Sequence, residues 1–214
     1  MVVLGDLLTY GIDVAEVLDI VGELRDAGAI VIRGNHDQLY LDVAAGNRAY
    51  FEGLPDWLRE SVDYTIERLD VPAFGRAFDW RDEFIAGRVL FSHANPFGEG
   101  DWRYLASDSD REAAAVGLAN RGFRAGVFGH THRANLYPAS GSAGPIVATA
   151  GSVGQPRDPA RSSSFLRVHV DDGGGDIECV PFDYDVNAHV AALQRSSMSP
   201  PTKARLCQCF VSGW

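Results

Sequence analysis

Four short apolar runs in this 214-residue chain end in residues that bind metals or move protons. VVLGD closes on Asp6, AIVIRGNHD on Asn35, His36 and Asp37, RVLFSH on His93, and GVFGHTH on His130 and His132. Runs of this length, rich in Val, Ile and Phe and broken by Gly, read as buried strands. Asp13 and Glu16 form a capping-box pattern, and Val14, Val17, Leu18, Val21 and Leu24 follow at helical spacing as far as Gly28. Strand, helix, strand is the order of a parallel βαβ unit. Open α/β sheets gather their functional groups beyond the carboxyl ends of the strands, so these distant residues are expected at one site.

The remainder supports one α/β domain over residues 1–195. Leu58, Val62, Ile66 and Leu69 lie at helical spacing after Pro55, which predicts a helical excursion over about 38–80. DSDREAAAVGLANRG predicts a capped helix over 108–122, and PIVATAG a further strand. SFLRVHV and DIECVPF, joined by residues 171–175, read as a β-hairpin. The tail, 196–214, is expected to be peripheral.

Composition narrows the function classes. The net charge is -10 and no Lys/Arg run gathers anywhere, which argues against a stable nucleic-acid partner or an anionic membrane surface. No apolar run approaches the roughly 20 residues a membrane helix needs, and no basic leader opens the chain, so a cytoplasmic location is expected. Cys179, Cys207 and Cys209 are read as reduced and incidental.

A single strand-end His is usually a packing residue. Asp, Asn and His repeated at successive strand ends, without thiolates, suit a catalytic centre of first-row divalent ions such as Mn, Fe, Ni, Co or Zn. The ordered set GDLLTYG, GNHD, the His of SHANP, GHTH and GSVGQPRD resembles the calcineurin-like metallophosphoesterases, and within them the small bacterial and archaeal phosphodiesterase group. The resemblance runs from Val2 to about Leu193.

That resemblance implies a four-layer α-β-β-α sandwich and two divalent ions, Mn favoured. It implies that Asp6 bridges them, that Asn35, His93 and His130 complete one shell, and that His132 serves the other. It further implies hydrolysis by a hydroxide held between the ions, with His36 protonating the leaving oxygen and Asp37 orienting His36. The substrate would be a small phosphodiester. Phosphomonoesters, phosphoproteins and dinucleoside polyphosphates are the alternatives, and the oligomeric state stays open.

One part of the family pattern is missing: the Asp-x-His on a strand before GD. The chain is therefore expected to lack the family's first strand and helix, through a late start assignment or a truncated reading frame. The second ion would keep only Asp6 and His132, so one ion rather than two, or an inactive or degenerate metal-binding domain, is the alternative for this chain. Arg33, Arg133 and Arg157 are weak candidates for phosphate contacts, and Gly151 for close backbone approach to the site. His169, His189, Trp57, Trp80 and Trp102 are read as surface or packing residues.

Overall fold

The structure is a computed structural model, and it describes residues 1–138, 144–158, 162–170 and 176–211. The chain divides into two compact units, Met1–Trp80 with Asp185–Trp214, and Arg81–Tyr184. Each has its own apolar cluster.

The first unit begins with the expected βαβ. Strand β1 (Val2–Val3) pairs in parallel with β2 (Ile30–Val31), and α1 (Val14–Asp26) connects them. Asp13 occupies the N-cap position of α1 but makes no capping bond with its side chain. Its carboxylate lies 3.9 Å from Nδ1 of His189, which therefore has a charged neighbour that the sequence did not disclose.

The helical excursion consists of α2 (Asn35–Ala44), α3 (Ala49–Glu52), α4 (Asp56–Ile66) and α5 (Val71–Ala77). It starts three residues earlier than predicted. Asn35, His36 and Asp37 accordingly form the first turn of a helix, which fixes them more firmly than a loop would.

Two helices complete this unit, α7 (Val186–Gln194) and α8 (Pro200–Val211). The expectation of a peripheral tail fails here. Leu206 and Cys209 of α8 are buried, and Leu206 shares a core with Val14, Val31, Leu58, Val62 and Phe74. Glu60 on α4 accepts hydrogen bonds from the Ser199 amide (2.5 Å), the Ser199 hydroxyl (2.6 Å) and the Thr202 hydroxyl. Pro200 and Pro201 open α8, where in the first turn of a helix a missing N–H costs nothing.

The second unit is built on a five-stranded mixed sheet of order β3-β4-β5-β7-β6. β4 (Val89–Ser92), β5 (Ala125–Phe128) and β7 (Ile146–Thr149) run parallel. β3 (Glu83–Ala86) and β6 (Asn135–Pro138) flank them antiparallel. α6 (Asp108–Asn120) is the crossover, capped reciprocally by Ser107 and Asp110. Every residue of β4 and β5 is buried, as continuous apolar strands of a covered parallel sheet should be. β8 (Ser163–His169) and β9 (Asp176–Phe182) form the predicted hairpin, with His169 exposed. Its predicted turn, 171–175, lies outside the described residues.

Candidate metal centre

In the first unit the site is assembled where β1 and β2 end. Gly5 has φ +89, and a Cβ there would sit 2.4 Å from the Gly34 amide nitrogen and 2.7 Å from the Ile32 carbonyl oxygen. Only glycine permits this approach, which brings Asp6 beside the start of α2. Asp37 then ties the two strand ends together. Its carboxylate accepts the amides of Asp6 (2.8 Å), Leu7 (3.0 Å) and Gly34 (2.8 Å), while Asp6 Oδ1 accepts the amide of His36 (2.9 Å).

Three backbone N–H groups thus converge on the Asp37 carboxylate: that of Gly34 at the N-cap of α2, where helix N–H groups are left unbonded, and those of Asp6 and Leu7 in the loop after β1. Burial first, and the neighbouring Asp6 charge second, push the Asp37 carboxyl up to about 7 against the pull of those three bonds. Asn35 and His36 are buried beside it. The Asn35 side-chain amide donates to Tyr50 Oη (3.2 Å). His36 Nε2 lies 3.4 Å from Tyr10 Oη, with the rings edge to face at 5.4 Å.

In the second unit, β4 delivers His93 and β5 delivers His130 and His132. The Gly129 amide donates to the His93 carbonyl (2.7 Å), which carries the ladder past the last paired residues. His93 Nε2 and His130 Nδ1 are 3.2 Å apart, and His130 Nε2 is 2.9 Å from the Trp102 carbonyl oxygen. A carbonyl only accepts, so Nε2 of His130 carries the proton and Nδ1 presents a lone pair. By the same reasoning His132, whose Nδ1 is 2.9 Å from the Gln155 carbonyl oxygen, presents Nε2. A metal-ligating imidazole is held in this way, by a hydrogen bond on its other nitrogen.

The donor spacing also fits. Two imidazole nitrogens each about 2.1 Å from one ion, at octahedral to tetrahedral angles, lie about 3.0–3.4 Å apart. The Tyr104 ring stacks on His130 at 4.0 Å with 23° between planes, adding a wall to the same ligand.

Backbone strain marks the same residues. Among the described residues, the non-glycine positions with positive φ are Asp6, Thr9, Tyr10, His130 and His132, at 56°, 83°, 63°, 61° and 57°. Three are predicted ligands. Such conformations cost about 1–3 kcal/mol each and persist where the surroundings impose them, commonly at functional sites.

Sequence reasoning missed Tyr10, Trp102 and Gln155. The last two act through main-chain carbonyls, which carry no side-chain signature. Arg157 contributes through its amide, which donates to the His132 carbonyl (2.9 Å). A Cβ at Gly151 would lie 2.1 Å from Ser164 Oγ, so the glycine's small size makes room for β8.

A model of the calcineurin-like phosphoesterase family matches residues 1–134, which span every predicted ligand. The chain belongs to that family. Among solved structures, a hypothetical protein from Pyrococcus horikoshii OT3 is similar to this phosphoesterase-family chain at TM-score 0.76 and 19% identity, covering 96% of this chain and 83% of that one. A metallophosphoesterase from Sphaerobacter thermophilus is similar at TM-score 0.69 and 20% identity, covering 97% and 87%. At these identities the likeness establishes the fold, a mixed α/β arrangement of the calcineurin-like type. No curated protein matches the chain. Family membership implies divalent metal ions and supports metal-dependent phosphoester hydrolysis. Among the described residues, no helix is long and apolar enough to cross a membrane.

Proposed function

We propose that this chain is a phosphodiesterase acting on small phosphorylated substrates, with Asp6 and Asn35 of the first unit and His93, His130 and His132 of the second as the residues that would ligate divalent ions. The observation that supports it most is the left-handed backbone at Asp6, His130 and His132, together with main-chain carbonyl oxygens that hold one ring nitrogen of each histidine. Divalent ions bound there, Mn favoured, would activate water and offset the charge of the phosphate oxygens.

The chain's own residues do the rest. Asn35 and the histidines bind without adding negative charge, and Asp6 supplies the single carboxylate. His36, buried on the first turn of α2 and braced by its amide bond to Asp6, gives its proton to the departing oxygen. Asp37 holds the two strand ends in register so that Asp6 and His36 keep their spacing.

The test is a substrate panel on the purified, Mn-loaded protein: a bis-aryl phosphodiester, the matching monoester, a phosphopeptide and a dinucleoside polyphosphate. The diester should show the highest kcat/KM. A preference of tenfold or more for another member would replace the diester assignment. No turnover of any ester by protein that holds its ions would end the enzyme reading.

A further inference from the structure

We infer that Tyr10 is a positioning residue for His36, holding the imidazole in the orientation from which it protonates the leaving oxygen. The inference rests on the proton-donor role proposed for His36. Tyr10 is buried, and its ring meets His36 edge to face at 62° while its hydroxyl reaches Nε2. Trp57 of α4 also meets the Tyr10 ring, with centroids 6.4 Å apart. The imidazole therefore meets a ring that itself contacts a second aromatic.

The backbone beneath Tyr10 is unusual for a residue used only in packing. The Gly11 amide donates to the Thr9 carbonyl at 2.7 Å with Tyr10 at φ +63 between them, a left-handed γ-turn, which is rare and strained. Thr9, a β-branched residue, is also left-handed, at φ +83. Its hydroxyl is held 2.5 Å from Tyr40 Oη, a side chain with no solvent exposure. Apolar packing alone could use a relaxed loop; what this loop secures is the direction of one hydroxyl.

A hydroxyl suits the task. It donates to Nε2 when that nitrogen has a lone pair and accepts from it when it carries a proton, so the contact survives both states of a proton donor. Phenylalanine would keep the edge-to-face ring contact and lose this second function.

The decisive comparison uses two phosphodiesters that differ in leaving group: p-nitrophenol, which departs readily as an anion, and an alkyl alcohol, which must be protonated as it leaves. For Tyr10→Phe, kcat should fall about tenfold on the alkyl ester and less than about twofold on the p-nitrophenyl ester, with KM unchanged. In a His36→Ala background the same substitution should cost nothing further. Tyr10→Ala, which also removes the ring, should lose more than Tyr10→Phe on the alkyl ester.

A second readout needs no turnover: in the metal-free protein, Tyr10→Phe should shift the Nε2 nitrogen resonance of His36 and leave those of His93 and His130 in place. Equal losses on the two esters, further loss in the His36→Ala background, or an unshifted His36 resonance would each overturn the inference while leaving ester hydrolysis standing. Turnover of neither ester by the wild-type protein would remove the functional reading and the inference with it.

Discussion

The loop after β1 and the loop after β5 solve one problem with different chemistry. Both present ligand-type side chains from left-handed backbone. Both contain a three-residue turn closed by an amide bonding two residues back, Gly11 to Thr9 in one and Thr131 to Gly129 (2.6 Å) in the other. The first is anchored by charge: the buried Asp37 carboxylate collects three amides. The second is anchored by neutral groups, the carbonyls of Trp102 and Gln155, each of which takes the proton-bearing nitrogen of one imidazole. A side-chain anchor gathers several strands at one point, but burial raises its carboxyl, here to about 7. A carbonyl anchor is uncharged and sets which nitrogen of an imidazole faces the metal.

The difference yields graded expectations. Asp37→Ala leaves three amides without their acceptor and should cost about 3 kcal/mol or more in urea denaturation, since each stranded buried donor costs about 1–3 kcal/mol. It should also weaken metal binding through Asp6. A smaller loss than any single substitution in the second loop would break the contrast between the anchors.

Gly5→Ala forces a Cβ to within 2.4 Å of main chain at φ +89 and should cost about 2–4 kcal/mol in the same assay. Tyr104→Ala tests the second loop. Removing a ring stacked at 4.0 Å should weaken metal affinity by about 0.5–1.5 kcal/mol, roughly two- to tenfold by calorimetry, with Tyr104→Phe close to wild type.

The smallest effect belongs to a carboxylate remote from these loops, which calibrates the pH behaviour of charged anchors. Burial works against ionised Glu60, but bonds from Ser199 and Thr202 outweigh it, with Lys203 assisting, and hold its carboxyl below the usual range. A depressed carboxyl contributes stability above its unfolded pKa and loses it as pH falls through the folded value. The advantage of wild type over Glu60→Gln should therefore be present at pH 7 and close as pH drops below about 4 in thermal melts.

Much of this was legible because the relevant signals are local. The runs ending in Asp6, His93 and His130 became strands that deliver those residues, and Ser107 with Asp110 capped α6 where the pattern placed a helix. Edge strands β3 and β6 were not legible, since four residues leave little periodicity. The three amides that Asp37 gathers were not legible, because which of several nearby donors a carboxylate takes depends on where two strand ends meet. Tyr10 was hidden in a motif whose flanking residues carried all the signal. The burial of α8 was obscured by a Ser-Pro-Pro opening that belongs equally to linkers and to helix starts.

The bond from Glu60 to Ser199 spans 139 residues, and the whole second unit lies between them in the chain. At a synthesis rate of about 5–20 residues per second, α4 emerges roughly 7–28 s before its partner on α8 exists. The second unit, contiguous from Arg81 to Tyr184, has no such wait for its own strands. Leu58 and Val62 must therefore pass that interval without Leu206 to cover them. During translation, a transient holder of apolar helix faces would find its natural substrate in the first unit.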